Sequence, residues 1–462
     1  MGSGRQRPRS LSLVVARSGS AAVDTDVVIV GGGISGLACA VELEREGVEY
    51  ALVEAQDEVG GRVRTDYVDG YTLDRGFQIF LTAYPKAVEL LDFEELKLRE
   101  FYAGASVRYG GEFHRVADPL RHPVDGVLSL ANPIGSVRDK VLVGLYRLQA
   151  YLKPLEAIFA GEETSIARHL EDVGFSDRII KTFFRPFLGG IFFDRELGTT
   201  SRLFEFVMKM LATGSNCLPE GGIGEVSRQL AGRLGEGRVH LGRRVTEVRR
   251  GEGDGGCLEV VCEGGDVLRG KRVVLATEAP AARRIRVMGE EMATRVTLEE
   301  GGVGTVCLYF WTDRSPPRGF GEPMLYLNGG DGGVVNNCCF PSCVSPSYAP
   351  EGRTLVSVSL VGDWEEGDEE LGRRVRGELA EWFGEDFVGS WRLLRGYRIP
   401  YAQPRQGGLG GRRMDLGGGG VVEVAKGEVW ACGDYLGGAT LEGAMRSGVR
   451  AAREINNVVL KG

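Results

Sequence analysis

The sequence lacks the long apolar run that a membrane-spanning helix needs. None of its 462 residues fall in a stretch of ~18 uninterrupted apolar positions, so a bilayer-spanning segment is not expected. A basic face is lacking as well: the net charge is −8, which gives no electrostatic reason to bind nucleic acid. Hydrophobic content of 43% with charged content of 26% is ordinary for a large globular chain. The length leaves room for about three domain-sized units.

Metal ligands at a recognisable spacing are also missing. The 4 histidines are scattered, and surface or structural roles are their default. The 9 cysteines are an odd number and widely spaced, which predicts reduced thiols in a reducing compartment. The cluster of Cys338, Cys339 and Cys343 has no nearby histidine and no matching second cysteine pair. Buried or loop thiols are therefore expected there, and no metal site is predicted.

Acidic residues are absent from the first 23 residues, "MGSGRQRPRSLSLVVARSGSAAV", which carry four arginines and five serines. This composition suits an organelle transit peptide, and its apolar run is too short for a secretory signal. A chloroplast or plastid location is therefore expected, with a mitochondrial or cytoplasmic location as the alternative. A plain disordered tail is the other interpretation of residues 1–23.

The first strong signal that is present follows directly. A β-branched run at 27–30 precedes a turn in G-x-G-x-x-G spacing and then a helix. Glycines at these positions allow a tight turn and close approach of a pyrophosphate, whose charge the helix N-terminus attracts. A second strand at 50–53 ends at Glu54, which can accept hydrogen bonds from an adenosine ribose. The residues predicted to hold a dinucleotide here are Gly31, Gly33, Ile34, Ser35, Gly36 and Glu54. A carboxylate at position 54 disfavours NADP, which leaves FAD and NAD.

The segment "EVGGRVRT" favours FAD, because an NAD-binding unit does not need a second glycine pair there. With the preceding turn and acid, its Gly60, Gly61, Arg62 and Thr65 resemble the signature of the FAD-binding superfamily that holds flavin amine oxidases, protoporphyrinogen oxidases and phytoene or carotene desaturases. The resemblance implies bound FAD, with the Gly61 backbone and Arg62 at its pyrophosphate and Gly76 close to the isoalloxazine.

Later segments follow the order of the same superfamily. "LPEGGIGEVSRQLAGRL" (218–234) resembles its Pro-x-Gly-Gly stretch, and Val245 in the next strand is implied to meet the adenine. A buried strand within 269–280 is expected to pack under the nucleotide domain. The C-terminal stretch "VWACGDYLGGATLEGAMRSG" (429–448) resembles the second half of the cofactor site. The resemblance implies that Gly433 and Asp434 meet the ribityl and pyrophosphate region and that the helix near Leu441 faces the pyrimidine edge.

These observations predict an α/β fold with an α+β insert, in which a Rossmann-like FAD-binding domain is interleaved with a substrate domain. The substrate domain is expected to combine a mixed or antiparallel sheet with a helical region. The FAD-binding parts are predicted at 24–100, 217–290 and 401–462. The substrate sheet is predicted at 291–400, and the helical region is predicted at 101–216. Within it, "KTFFRPFLGGIFF" (181–193) is expected to break at its proline and glycine pair. This region is either ordinary core, the lining of an apolar tunnel or a membrane-docking face.

The substrate is the open question. Amine oxidases of this superfamily usually carry a lysine on a substrate-domain strand, but "EEGGVGTVCLYF" has Gly304 or Thr305 there. They also place an aromatic ring just before the C-terminal Glu-Gly-Ala, where this chain has Ala439, Thr440 and Leu441. The C-terminal motif is closest to plant-type carotene desaturases. We therefore expect an FAD-dependent desaturase, isomerase or oxidase acting on a hydrophobic small molecule such as a carotenoid, another isoprenoid or a tetrapyrrole.

Two alternatives stay open at this point. One is a flavin amine oxidase with an unusual site, and the other is an FAD-binding assembly or binding protein without turnover, because cofactor motifs report binding and not catalysis. No residue is singled out as catalytic, since the flavin would accept the hydride. The oligomeric state and the electron acceptor are not predicted, and peripheral membrane association is left as an option.

Overall fold

The fold is seen in a computed structural model that describes residues 23–251, 256–296, 301–330, 332–407 and 420–459. Its strands are β1 Val23–Val30, β2 Tyr50–Val53, β3 Thr65–Val68, β4 Tyr71–Asp74, β5 Phe80–Leu81, β6 Arg99–Glu100, β7 Gly104–Tyr109, β8 Glu112–Ala117, β9 Asn216–Leu218, β10 Val239–His240, β11 Val245–Arg250, β12 Leu258–Cys262, β13 Val267–Leu275, β14 Arg286–Val287, β15 Glu290–Glu291, β16 Gly302–Thr312, β17 Leu325–Asn328, β18 Asn337–Cys339, β19 Thr354–Val361, β20 Arg392–Pro404, β21 Val421–Ala425 and β22 Val429–Cys432.

The helices are α1 Ile34–Arg45, α2 Pro85–Leu90, α3 Phe93–Leu96, α4 Pro123–Ser129, α5 Val137–Leu152, α6 Leu155–Ala160, α7 Ile166–Val173, α8 Asp177–Ile179, α9 Arg185–Phe192, α10 Ser201–Thr213, α11 Gly224–Ala231, α12 Ala279–Arg284, α13 Met292–Arg295, α14 Pro341–Val344, α15 Asp368–Phe383, α16 Glu385–Val388, α17 Asp434–Gly437 and α18 Leu441–Val459. A π-helical turn, Ile180–Phe184, joins α8 to α9, and a 3₁₀ turn covers Pro346–Tyr348. Among the described residues no helix is long and apolar enough to cross a membrane.

One large sheet has a parallel core in the order β10-β2-β1-β13-β22, extended by the antiparallel strands β12 and β11. The core strands are in register at one edge, where Val30 pairs with both Val53 and Leu275, and Leu275 pairs with Ala431. All four of these residues are buried, as expected for a parallel sheet covered on both faces. The strands therefore end together, and the loops that follow them meet at one place.

The helices α1 and α18 pack closely against each other beside this parallel core. A side chain at Gly448 of α18 is impossible without a shift, because its Cβ would lie 2.0 Å from the carbonyl oxygen of Ser35 in α1. The small residues of "AMRSG" thus allow two helices from opposite ends of the sequence to touch. This contact returns the C-terminal segment to the N-terminal strand–turn–helix unit.

The second large sheet has the order β20-β16-β19-β18-β17-β7-β8 and is antiparallel except for the parallel pair β17–β7. Helix α15 packs on one of its faces through Leu371, Val375 and Leu379, in a cluster that includes Phe310 and Val358 of the sheet. The predicted fold class, an α/β nucleotide unit interleaved with a mixed or antiparallel sheet and a helical region, is confirmed. The division of the chain at the stated residue boundaries stays a prediction.

Three local expectations are corrected. Residues 104–117 lie in the segment predicted to be helical, yet they form the hairpin β7–β8 at the edge of the second sheet. The physical reason is their alternation of apolar and polar residues around Gly110 and Gly111, which both have positive φ and are typical of a hairpin turn. The strand within 269–280 does not pack under the nucleotide sheet, because β13 is hydrogen-bonded inside it between β1 and β22.

The third correction concerns residues 181–193, where the expected break does not occur. The π-helical turn Ile180–Phe184 continues directly into α9, so Pro186 lies inside a continuous helical segment. A π-helical adjustment of this kind next to a proline is a known way for a helix to accommodate a local irregularity. At the N-terminus, Val23 already belongs to β1, so the last residue of the segment predicted as a transit peptide or tail is part of the fold. Residues 1–22 lie outside the described residues.

Candidate functional site

A cavity of about 1260 Å³ lies where the parallel strands of the first sheet end. Of the residues predicted to bind the cofactor, those that line it are Gly31, Gly33, Ile34, Ser35, Glu54, Gly60, Gly61, Arg62, Gly76, Val245, Gly433, Asp434 and Leu441. Gly36 does not line the cavity. Its Cβ would lie 1.9 Å from the carbonyl oxygen of Gly31, so it shapes the turn instead. The structure thus gathers predicted residues from both ends of the chain into one place.

The glycine turn between β1 and α1 leaves its backbone open to the cavity. Gly31 has φ +109°, and a Cβ there would lie 2.8 Å from the carbonyl oxygen of Ala276. No atom lies within 4 Å of a Cβ built at Gly33, so the backbone of this residue borders empty space. Gly33 also caps α1 without a side-chain hydrogen bond. The first N–H groups of α1 therefore remain available to an anion, and the helix dipole favours one.

Glu54 is buried directly after β2 and holds the glycine turn. One carboxylate oxygen accepts a hydrogen bond from the Gly32 N–H at 2.7 Å, and the other accepts from the Gln56 N–H at 2.8 Å. Each oxygen of a carboxylate has two acceptor positions. Glu54 can therefore brace the turn and still accept hydrogen bonds from a ligand in the cavity.

Arg62 connects the two halves of the site. Its guanidinium lies 2.8 Å from the Asp434 carboxylate, donates to the Ala402 carbonyl oxygen at 2.9 Å, and lies 4.0 Å from the Glu278 carboxylate. Burial alone would lower the pKa of Arg62, but the charges of Asp434 and Glu278 outweigh it and hold the pKa above its ordinary value. The guanidinium is thus a fixed positive charge on the cavity wall.

Glu278 was not singled out by the sequence, although it lines the cavity immediately after β13. Burial raises the pKa of its carboxyl above the ordinary value; Arg62 works against this, and Asp434 and Glu54 add to it. The signal that could have identified it is its position at the end of a strand parallel to β1, because ligands of such sheets bind at those ends. Ala402 and Gln403 were missed for a different reason. They belong to the second sheet, and no local sequence pattern shows that this sheet approaches the site.

Gly76 lies where the two sheets approach each other. It has φ +83°, and a Cβ at this position would lie 2.5 Å from Cδ1 of Ile399 on β20. Only glycine allows the chain to pass Ile399 in this conformation without strain. Beyond Gly433, the chain is held by Ser447 Oγ, which accepts from the Gly433 N–H at 2.8 Å. These contacts explain the small residues of both segments as packing requirements of the cavity wall.

The opposite part of the cavity, here called the apolar side, is built from the segment after Gly76, from α9 and α10, and from the second sheet. Its apolar and aromatic residues are Phe77, Ile79, Leu81, Tyr84, Phe187, Ile191, Phe192, Phe193, Val207, Leu211, Leu325 and Leu327. Its uncharged polar residues are Gln78, Asn216, Thr305, Asn337 and Gln403. Arg75 and Arg398 bring charge, and each is paired, with Asp66 at 2.9 Å and with Asp368 at 2.8 Å.

The charged residues of the cavity are unevenly distributed. Its carboxylates, those of Glu54, Glu263, Glu278 and Asp434, all come from the first sheet and its following loops. Among the described residues that line the cavity there is no lysine and no histidine. The candidate position for an amine-oxidase lysine is Gly304 or Thr305; of the two, Thr305 lines the cavity, and its hydroxyl donates to the Leu360 carbonyl oxygen at 2.8 Å. The described part of the apolar side therefore contributes neither a carboxylate for an ammonium group nor a lysine.

These features fit FAD. The open backbone at Gly33, the uncapped start of α1 and the charge of Arg62 suit a pyrophosphate, and Glu54 suits a ribose. The volume exceeds the ~300–1,000 Å³ of ordinary ligand pockets, which leaves space for a substrate beside a dinucleotide. Among the described residues, no group of three histidine, cysteine or acidic side chains is placed to hold a metal ion. All nine cysteines are free thiols.

Comparison with known proteins agrees with this geometry. The family model described as flavin containing amine oxidoreductase matches residues 34–456. Coproporphyrinogen III oxidase from Bacillus subtilis (strain 168) is 23% identical over 385 residues, 73% of this chain and 78% of that protein. Putrescine oxidase from Kocuria rosea is 27% identical over 94% of this chain and 95% of its own length. The solved structure of a putrescine oxidase bound to putrescine aligns with a TM-score of 0.68 at 21% identity, covering 95% of this chain and all of that one (100%).

Proposed function

This chain belongs to the family of flavin-containing amine oxidoreductases and is an FAD-dependent oxidoreductase; from that premise we propose that its substrate is a hydrophobic molecule. A carotenoid or another isoprenoid fits best, and a tetrapyrrole is the next choice. The observation that carries the proposal is the apolar side of the cavity, where twelve apolar or aromatic residues meet five uncharged polar ones. Such a wall binds by shape and burial, with few polar contacts.

The residues of the chain have separable tasks in this proposal. Arg62 and the start of α1 hold the anionic part of FAD, while Gly76 and Ile399 allow substrate and cofactor to approach across the junction of the sheets. The chemistry that bound FAD supplies is acceptance of a hydride from a substrate carbon. The apolar side excludes water from that carbon and orients it, which is the protein's share of the catalysis.

An amine substrate is the second candidate, favoured by the similarity to putrescine oxidase along 94% of the chain. Two features stand against it. The candidate lysine position holds Gly304 or Thr305, and the neighbourhood where an aromatic ring is expected reads Ala439, Thr440 and Leu441. A buried ammonium group also needs a partner, because an unpaired buried charge is costly. The described part of the apolar side supplies no carboxylate for this purpose. A charged porphyrinogen meets the related difficulty that Arg75 and Arg398 are already paired.

The test uses the full chain with its flavin bound. The protein is mixed anaerobically with a carotenoid, a porphyrinogen or putrescine, and bleaching of the visible flavin band is recorded. The proposal expects bleaching by the carotenoid, or by the porphyrinogen, and none by putrescine. Bleaching by putrescine alone would establish the amine-oxidase alternative. A stable flavin band with all three compounds would favour an FAD-binding assembly or binding protein.

A variant makes the test specific to the apolar side. Leu325 borders the cavity and is only partly buried, so Leu325→Asp is expected to fold and to bind flavin. A carboxylate at this position would oppose an apolar substrate by at least ~1.4 kcal/mol, a tenfold loss of affinity. Val88→Asp is the matched control, since Val88 is exposed on α2 and does not border the cavity. Equal bleaching rates in the two variants would contradict this placement of the substrate.

We also propose a plastid location for the protein. Its support is the arginine- and serine-rich composition of residues 1–23, which carry no acid, because transit peptides share this composition. Fusing this segment to a fluorescent protein and following import into isolated plastids tests the proposal. A fusion protein that stays outside plastids and enters mitochondria, or neither organelle, would contradict it.

A further inference from the structure

An apolar surface on α4, α5 and the loop around them has no counterpart elsewhere on the described part of the protein. Of the 13 large hydrophobic side chains that are exposed among the described residues, 11 fall between Leu120 and Leu152. The other two, Tyr67 and Val88, are isolated, and single exposed apolar residues are ordinary. A concentration of this kind marks an interaction surface.

The sequence of α5 produces two apolar faces on one helix. Tyr146 and Ala150 are buried, and Tyr146 stacks on Phe204 of α10 with ring centroids 5.7 Å apart. Val141, Leu145 and Leu148 follow each other at intervals of four and three residues, so they share another helix face, and they are 53%, 59% and 45% exposed. The inner face accounts for folding, and the outer face remains without a partner in the described part of the chain.

The helix α4 extends the surface sideways. Val124, Val127 and Leu128 are 71%, 66% and 67% exposed, and no residue of α4 is buried. The two helices are fixed relative to each other by Lys140 of α5, whose ammonium group donates to the Leu130 carbonyl oxygen at 3.0 Å, just beyond α4. Both helices therefore contribute exposed aliphatic side chains, which is more than the single stripe that a two-stranded coiled coil needs.

The charges within this surface are mainly positive, although the whole chain carries −8. Between Leu120 and Lys153 there are five basic and two acidic residues, a balance of +3. The acids are engaged: Asp139 is buried in the capping box of α5, and Asp125 accepts from Tyr102 Oη and lies 3.2 Å from Arg115. Three of the basic residues are paired as well, Arg121 and Arg147 with Asp118 and Lys153 with Glu205. The cationic groups that remain for an external anion are Lys140 and Arg138, and Arg138 is exposed on α5. An anionic surface is thus electrostatically complementary to this one.

These observations distinguish between the partners that could cover this surface: a second copy of the chain, another protein or a lipid surface. A second copy of the chain would bring two positive surfaces together, which electrostatics disfavours. A protein partner is expected to meet aromatic residues and arginine, the residues that dominate binding energy in protein interfaces, whereas valine and leucine are under-represented there. Exposed aliphatic side chains on helices with lysine and arginine nearby are the composition of helices that lie in a membrane interface.

We propose that α4 and α5 dock the protein peripherally on an anionic lipid surface, with their exposed valines and leucines in the headgroup boundary. The position of the surface agrees with this inference, because α5 packs on α10, and Val207 and Leu211 of α10 line the apolar side of the cavity. Arg121, just before α4, also donates to the Leu211 carbonyl oxygen at 3.3 Å. The docking surface is thus one helix away from the cavity. The inference does not depend on which substrate the enzyme uses.

Vesicle flotation of the full-length flavoprotein tests the proposal. We expect the protein to float with vesicles of phosphatidylcholine and phosphatidylglycerol at 7:3, and less with pure phosphatidylcholine or in ~1 M salt, where charge attraction is screened. The double variant Leu145→Glu, Leu148→Glu should lower vesicle partitioning at least ~10-fold, since two exposed leucines that would enter the headgroup boundary are replaced by charges. Arg138→Gln should weaken binding to the anionic vesicles only.

The control is Val88→Glu, which places the same charge on an exposed valine far from this surface in the sequence and should float like the unmodified protein. The flavin spectrum of every variant shows that it is folded. The proposal is overturned if the unmodified protein does not float, or if the double variant and the control float equally. It is also overturned if the protein is a dimer that the double variant converts to monomers without any vesicle binding.

Discussion

The ion pair between Arg62 and Asp434 is the contact on which the two halves of the proposed cofactor site depend. Replacing Asp434 by asparagine keeps the side-chain shape but removes the charge that lies 2.8 Å from the guanidinium. Arg62 would keep its hydrogen bond to Ala402 and would lose its strongest partner. We expect Asp434→Asn, and likewise Arg62→Gln, to weaken FAD retention.

The size of the expected loss in FAD affinity follows from how deeply the ion pair is buried. Breaking a fully buried ion pair by removing one partner costs about 3–5 kcal/mol. The side chains of Arg62 and Asp434 are 30% and 11% exposed, so solvent screens part of the loss. We expect about 2 kcal/mol for each single variant, which is roughly a thirtyfold rise in the FAD dissociation constant. Because both changes break one contact, the double variant should lose less than the sum of the two, with about 1–2 kcal/mol of coupling.

The assay removes FAD, titrates it back and follows the recovery of bound flavin by absorbance and fluorescence. The control is Asp172→Asn, which breaks an exposed pair with Arg168 at 2.9 Å and should change the affinity by less than ~0.5 kcal/mol. If the affinity losses of the two single variants add up fully in the double variant, Arg62 and Asp434 do not act as a unit. Unchanged or tighter FAD binding in Asp434→Asn would refute the reasoning, because repulsion between the carboxylate and the pyrophosphate would then outweigh its hold on Arg62.

Three further predictions concern the frame around this pair. Glu54→Ala should lower the flavin content of the purified protein, since both the glycine turn and the ribose lose an acceptor; unchanged content would mean that the site is misplaced. Gly76→Ala should lower the free energy of unfolding by about 2–4 kcal/mol, through strain at φ +83° and overlap with Ile399, and should weaken flavin binding at the distorted cavity wall. A second change, Ile399→Ala, should recover part of the lost flavin binding but not the backbone strain. Burial raises the pKa of Asp74 to about 6 from an ordinary value of 3.8, so the native state binds a proton more tightly than the unfolded state. The stability gained from that proton is complete below the unfolded value and is lost as the pH rises through about 6. Unmodified protein should therefore lose about 2 kcal/mol relative to Asp74→Asn between pH 4 and pH 7. Parallel melting temperatures of the two proteins across this range would contradict it.

The cofactor side of the site was predictable because its residues lie in short local patterns. The turn from Gly31 to Gly36 and the strand end at Glu54 are contained in one strand–turn–helix–strand unit, whose geometry allows little variation. The C-terminal segment was placed through its resemblance to a known motif, and the structure brings Gly433 and Asp434 to the same cavity. In physical terms, parallel strands force the residues after them to meet at one edge.

The apolar side was not predictable in the same way. Leucine and phenylalanine at helical spacing give the same pattern whether they line a cavity, form a core or face a membrane, and all three occur between residues 101 and 216 in our interpretation. Phe187 lines the cavity, Phe204 is buried in the core and Leu145 is exposed. Only the arrangement of α5, α9 and α10 distinguishes these roles. The hairpin β7–β8 was missed because the helical pattern that follows it was extended too far toward the N-terminus.

The separation of the two sides suggests how substrate choice is set in this enzyme. Its cavity carboxylates belong to loops that follow the first sheet, where FAD requires them, and changing them would disturb the cofactor. The apolar side is assembled from α9, α10 and the second sheet, and none of its residues is needed for the glycine turn or for the pair of Arg62 with Asp434. A single charge introduced there can therefore exclude one class of substrate without loss of flavin. Thr305 is the informative position: its hydroxyl donates to the Leu360 carbonyl oxygen, whereas a lysine there would add a charge to a wall whose described charged residues, Arg75 and Arg398, are already paired.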